Sequence, residues 1–279
     1  MKLALLTCLT LVAFAANSIL NRLAVDSGAI GPGAFAALRV ASGALVLTLL
    51  VRLRGGRVPL AVPGRWQGAL ALAVYMLGFS LAYRSLDAGL GALILFGVVQ
   101  VSMFAWTAAT GTPAGARQVA GAGIAFAGLV TVLWPGGGLA VDPLAAGLMV
   151  AAGLGWAAYT LLGRREPDAL AGTAANFVAA LLPVALLGLL PEGLDGLAGI
   201  SGAGLALALI SGALTSGLGY AAWYAVLPRL DTGLAAVLQT SVPVIALAAG
   251  VVLLGETASL RLLGGTVLVL GGIALAIRR

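Results

Sequence analysis

The sequence predicts an all-α integral membrane protein: ten transmembrane helices in two inverted five-helix repeats, with both termini cytoplasmic. Three observations carry this expectation. Of 279 residues, 61% are hydrophobic and only 9% charged, whereas a soluble domain carries about 25% charged residues. Polar side chains are therefore too few to cover a water-facing surface. The apolar residues fall into long runs separated by short gaps that hold charges, Pro and Gly, and each run is near the roughly 20 residues that cross a bilayer as a helix. The second half of the chain also repeats the first.

Reading between the breaks places spans at 3–22, 32–51, 66–85, 89–109, 117–134, 143–163, 169–190, 201–227, 231–254 and 258–277. The first follows Lys2. Its opening residues, with Ala13-Phe14-Ala15 as a cleavage site, have the layout of a signal peptide, but the stretch from Phe14 to Arg22 has a partner later in the chain, which argues for retention. The second span opens at Pro32 and stops at Arg52. The third follows Arg65 and the fourth follows Asp87. The fifth begins at Arg117, the sixth at Pro143, and the seventh follows Asp168. The eighth ends before Pro228-Arg229, the ninth runs from Asp231 to Gly255-Glu256, and the tenth ends at Arg278. The 41 glycines suit helices that approach closely in lipid.

Orientation follows from the cations. The two ends and the second, fourth, sixth and eighth connections hold Lys2, Arg52, Arg54, Arg57, Arg65, Arg117, Arg164, Arg165, Arg229, Arg278 and Arg279; the other side holds Arg22, Arg84 and Arg261. Eleven against three places both termini inside by the positive-inside rule, as expected in a bacterial inner membrane. The net charge of +6 does not point to nucleic acid, because the cations sit in gaps rather than along one face. Cys8 is the single cysteine and there is no histidine, so a disulfide, a zinc cluster and the commonest general base are absent. No metal, no cofactor and no enzyme chemistry is expected. The expected partners are the lipid bilayer and a small-molecule substrate, for a monomer.

The repeat is explicit. Arg84-Ser-Leu-Asp87-Ala-Gly89 answers Arg229-Leu-Asp231-Thr-Gly233. From Asp87 an offset of 144 matches Gly111 to Gly255, Arg117 to Arg261, Gly121 to Gly265 and Gly128 to Gly272. Tyr75 falls on Tyr220, and Phe14-Ala-Ala-Asn17 falls on Trp156-Ala-Ala-Tyr159. Halves of five spans each enter the membrane from opposite sides, the architecture of alternating access around a midplane site. The expected units are 1–136 and 142–279.

Pro243, Gly255-Glu256, Gly264-Gly265 and Gly271-Gly272, with Trp156 and Arg39, resemble the EamA domain, the repeat unit of the drug/metabolite transporter superfamily. The resemblance extends along the whole chain and implies a ten-helix transporter, most similar to the YddG-type amino-acid exporters. The first half departs from the pattern: Val99 stands where the proline is expected, and Gly111-Thr112 replaces Gly-Glu.

Candidate substrate-binding residues are the polar and aromatic side chains at matching depths in the two halves: Asn17, Arg39, Tyr75, Phe79, Gln100, Trp156, Tyr159, Tyr220, Trp223 and Gln239, with Pro243 as a candidate gate. An aromatic face with a few polar groups suits a small amphipathic solute. Tyr83 is expected in the interfacial belt, and Arg84–Asp87 and Arg229–Asp231 as loop caps. Arg39 is an ionised side chain about two turns into a span, where it is costly. It must snorkel outward, meet helix-end carbonyls, or face a wet cavity and an anionic substrate group. No Asp or Glu lies mid-span, so facilitated export or exchange is expected rather than proton coupling. The expected function is alternating-access export of small metabolites, foremost amino acids including aromatic and hydrophobic ones. A lipid or lipid-linked sugar flippase of the same fold is the alternative. A membrane enzyme lacks its acids and histidines, and a channel lacks its pore-lining ring.

Overall fold

The computed structural model describes residues 2–109, 115–133, 141–164, 166–190, 193, 199–230, 238–239 and 241–277. Among them there are helices and no strands. The ten helices are α1 (Lys2–Asp26), α2 (Pro32–Leu53), α3 (Arg65–Ala82), α4 (Ala88–Ala109), α5 (Ala116–Leu133), α6 (Pro143–Gly163), α7 (Ala169–Leu189), α8 (Gly202–Arg229), α9 (Ser241–Leu254) and α10 (Leu260–Ile277). At 1.5 Å per residue, the helices of 18 to 28 residues match a hydrocarbon layer of about 30 Å, and α9 as described is shorter. Five of them, α1, α2, α6, α7 and α8, are long and apolar enough to cross a membrane. Outward-facing Leu45, Leu182, Val252 and Leu260 are exposed, as lipid-facing side chains must be.

Helix starts are set by local chemistry. Asp142 accepts from the Leu144 N–H at 2.9 Å, with Pro143 at the first helical position. Asp168 accepts from Leu170 and Ala171, and Ser201 from Gly204, all at 3.0 Å. These side chains satisfy amide donors that the first turn leaves orphaned. The cap of α4 comes from far along the chain: Glu256 accepts from the Ala88 N–H at 2.6 Å and the Gly89 N–H at 3.4 Å. Gly255, at φ 70°, ends α9 and turns the chain so that Glu256 reaches α4.

The inverted repeat is visible in the packing. Helix pairs exchange with their mates: α3 lies on α6 as α8 lies on α1, and α4 lies on α6 as α9 lies on α1. Where mates meet directly, they run antiparallel. A Cβ added to Gly128 would stand 2.9 Å from the Gly265 carbonyl and from the Val269 nitrogen. A Cβ on Gly272 would strike the Gly121 carbonyl and the Ala125 nitrogen. These are the same contacts shifted by 144 residues in both partners, so a two-fold axis crosses the α5–α10 pair at right angles to the helices. The α2–α7 pair is also backbone-close: a Cβ on Gly188 would lie 2.9 Å from the Gly33 carbonyl.

Three expectations change. Tyr83 is fully buried and donates to the Ala88 carbonyl at 3.3 Å, because α3 ends at Ala82 and the chain folds back under α4; it is not a belt residue. Asp87 pairs with Arg22 at 3.4 Å instead of with Arg84. The eighth span is not a regular α-helix: Ser211–Leu218 is a π-helical segment between α-helical Gly202–Ile210 and Gly219–Val226. The helix α7 runs on through Pro183. Gly111, Thr112, Asp231, Gly233 and Thr240 lie outside the described residues.

Candidate functional site between the repeats

Arg39, on α2, is wholly buried at the centre of the molecule. Its Nε donates to Ser216 Oγ at 2.7 Å, and its Nη2 donates to Tyr220 OH at 2.8 Å and Tyr75 OH at 3.1 Å. The guanidinium lies 4.9 Å from the ring centre of Phe79 and 5.5 Å from that of Tyr75, within cation–π range. Arg39 takes none of the three environments expected of it: it is buried among side chains, with hydroxyls and aromatic rings as its partners. No described ion pair includes it.

Tyr75 and Tyr220 are repeat mates, and their hydroxyls bond each other at 2.9 Å. The pseudo-two-fold axis therefore passes between them, and Arg39 sits beside it. The α7 sequence contains no arginine, so charge breaks the symmetry that shape preserves. A second pair of mates, Phe14 and Trp156, meets edge to face at 5.5 Å. Phe14 also contacts Tyr220 and Trp223, and Trp156 contacts Tyr75, Tyr159 and Tyr220. The result is one aromatic core shared by both repeats.

Asn17 supplies the polar support. Its Oδ1 accepts from Ser211 Oγ at 2.9 Å, Thr215 Oγ1 at 2.6 Å and Ser216 Oγ at 3.1 Å. All three hydroxyls sit in the π-helical segment of α8. The wider turn there lets Gly212 lie against α2, where an added Cβ would strike Ser42 Oγ and the Arg39 carbonyl. π-helical turns are frequent at functional sites, and this one carries the serine that holds Arg39.

The structure thus brings together Asn17, Arg39, Tyr75, Phe79, Trp156, Tyr159, Tyr220 and Trp223. Gln100 and Gln239 are buried on α4 and beside α9 and are not among the residues that bond Arg39. Pro243 is buried in the first turn of α9. Phe14, Ser211, Thr215 and Ser216 were not foreseen. Their signal was three hydroxyls on neighbouring turns of an apolar span.

Ion-paired clusters close the core on both sides. On the face carrying the α1–α2, α3–α4 and α9–α10 connections, outer by the arginine distribution, Arg22 pairs with Asp26 at 3.0 Å, Asp87 at 3.4 Å and Glu256 at 3.8 Å. It also donates to the Tyr83 carbonyl at 3.2 Å. Burial raises the Glu256 carboxyl above its ordinary value, and the bond from the Ala88 amide offsets only part of that. On the opposite face Arg65 donates to Glu166 at 2.8 Å, Asn176 Oδ1 at 3.2 Å and the Gly172 carbonyl at 3.3 Å. Beside this cluster, a groove of about 880 Å³ opens between α3, α4 and α6, lined by Trp66, Leu70, Val74, Trp106, Leu154 and Arg164.

Comparison with known proteins agrees with this architecture. The model of the EamA-like transporter family matches residues 143–278. The uncharacterized protein PA1977 of Pseudomonas aeruginosa is 49% identical over 274 residues, covering 97% of this chain and 93% of the relative. A solved crystal structure of a protein 20% identical to this chain superposes with a TM-score of 0.67, covering 99% of this chain and 96% of the other, which establishes a shared fold. Ten helices, an inverted repeat and these matches place the chain in the EamA-like transporter family of multi-pass membrane proteins.

Proposed function

We propose that this protein is an alternating-access carrier that exports small amphipathic metabolites, with aromatic and hydrophobic amino acids as the first candidates. The observation that carries the proposal is Arg39: a buried cation beside the axis relating the repeats, bonded to one tyrosine from each. A side chain that joins both repeats through their mated tyrosines senses their relative rotation, and its charge gives cargo a reason to stop midway. Residues 1–136 and 142–279 are the two moving units. The carrier works as a monomer in the bacterial inner membrane with both termini inside, a placement supported by the arginine distribution and by a bacterial relative. With no carboxylate mid-span, transport is facilitated or exchange-driven.

The test is counterflow in liposomes holding purified protein, with labelled amino acids and related metabolites outside and unlabelled ones inside. Accumulation of a solute, abolished by Tyr75→Ala or Trp156→Ala, is expected. Absence of counterflow for the whole panel by folded protein overturns the carrier reading. The lateral groove beside Arg164 favours a second reading, a lipid flippase. Movement of a fluorescent phospholipid between leaflets of the same liposomes would support it.

A further inference from the structure

A smaller cavity, of about 270 Å³, opens on the face that is inner by the arginine distribution, between α3, α6, α7 and α8. Unlike the lateral groove, it holds a complete ion pair: Arg65, Glu166 and Asn176 line it, beside Leu162 and Tyr224. The side chains of Arg65 and Glu166 are 7% and 17% exposed. Their contact runs from one nitrogen, Nη1, to one oxygen, Oε2, and the same Nη1 also serves Asn176 and the Gly172 carbonyl. A guanidinium carries five donors and a carboxylate about four acceptor sites, so Nη2 and Oε1 can take a second partner. Two helix ends add to the pattern. The first turn of α3 starts at Arg65 behind Gly64, with no side chain capping it, and α6 ends at Gly163. Both ends line the cavity, one offering partial positive charge and the other partial negative charge. The fold itself does not demand this pair. By the offset that carries Tyr75 to Tyr220, Arg65 answers Ile210; by the offset that carries Phe14 to Trp156, Glu166 answers Ala24. Ala24 is fully buried in an apolar cluster with Val25, Ile30 and Phe35, so the other repeat is built at these positions without ions.

We infer that this cavity is a loading site on the inner face for zwitterionic amino acids, solutes that carry a free carboxylate and a free ammonium group on one carbon. This rests on the carrier reading above and adds a site to it. The cargo carboxylate meets Arg65 at the start of α3, and its ammonium meets Glu166 beside the end of α6. Its side chain lies against Leu162 and Tyr224. The cargo thus exchanges the ion pair that closes this face for two pairs of its own and adds no net charge. An acid or an amine alone would leave one member of the buried pair uncompensated, which is costly. From here the rings lead inward: Tyr224 donates to the Tyr159 carbonyl at 2.9 Å and its ring lies 5.3 Å from that of Tyr159, which lies 6.5 Å from Tyr220, the partner of Arg39.

Equilibrium binding to purified protein in nanodiscs at neutral pH tests this with three probes that share a side chain: L-leucine, 4-methylpentanoate, which lacks the ammonium, and 3-methylbutylamine, which lacks the carboxylate. L-Leucine is expected to bind tighter than either of the others by about tenfold or more, the worth of one charge-assisted hydrogen bond. Glu166→Gln should weaken L-leucine by about tenfold and bring it level with 4-methylpentanoate. Val62→Trp adds bulk to the cavity wall and leaves both charges in place, and it should weaken L-leucine as well. Absence of L-leucine binding, equal or tighter binding of either analogue, or an affinity for L-leucine that survives Val62→Trp overturns the inference. Counterflow of amino acids alongside such a result would leave the carrier reading standing. Selective binding of L-leucine without counterflow of any solute would remove the carrier reading and leave the site, so the two fail separately.

Discussion

Ser216 shows how much one hydroxyl can hold at the residue scale. It accepts from Arg39 at 2.7 Å and donates to Asn17 at 3.1 Å, linking α1, α2 and α8 in a fully buried position. Ser216→Ala removes the acceptor of a buried cation and should cost about 1.5–3 kcal/mol of stability, read as a lower unfolding temperature in detergent. An unchanged temperature would mean that Arg39 has found another acceptor. Most of the residues that cluster around Arg39 were legible in the sequence, because aromatic and polar residues in an apolar span stand out and their mates agree in depth. Ser216 was not. A hydroxyl can bond its own helix carbonyl at i−4, as Thr7, Thr10 and Thr173 do here, so composition alone does not separate a support residue from a silent one.

Among the elements, the glycines divide into two kinds. Gly128 meets the backbone of α10, where an added Cβ would lie 2.9 Å from the Gly265 carbonyl; Gly271, on the same pair of helices, has open space around its Cβ position. Gly128→Ala should therefore cost about 1–3 kcal/mol through overpacking. Gly271→Ala should be neutral or gain up to about 1 kcal/mol from helix propensity. Thermal unfolding of the two variants side by side measures the contrast, and equal effects would contradict the backbone contact. Apart from the start of the ninth span, which lies outside the described residues, span positions were readable to within a few residues because apolar length and charged gaps both report the bilayer. The π-helical stretch of α8 was not readable. It contains no proline, and its register comes from Gly212 seating against α2, a long-range contact without a local signature. The mistaken partner of Asp87 has the same origin: Arg84 is near in sequence, but Arg22 is near in space.

The whole molecule closes its two faces with different chemistry. On the outer face a carboxylate from the α9–α10 connection caps α4 and pairs with Arg22; on the other, Arg65 gathers Glu166 and Asn176. Burial holds the Glu256 carboxyl above its ordinary 4.5 in the closed form, so the closed face binds the proton more tightly than an open, hydrated one. Opening then releases a proton, and acid favours closure: the group's contribution is full below its ordinary value and is lost as pH rises through the closed-state value. Outward transport should slow as external pH falls from neutrality towards 4.5, and Glu256→Gln should remove that dependence. A flat wild-type profile would show that this carboxyl does not govern opening. The mate of Glu256, 144 residues earlier, is Thr112, so the other face cannot reproduce this closure with its own repeat. For a carrier that moves cargo without a coupled ion, equilibrium requires the ratio of maximal rate to half-saturating concentration to be the same in both directions. Unlike locks cannot make such a carrier a pump. They can still give it a low half-saturation with a slow maximum on one side and the reverse on the other, both scaled by one factor, which would suit the export proposed above, from a crowded compartment into a dilute one.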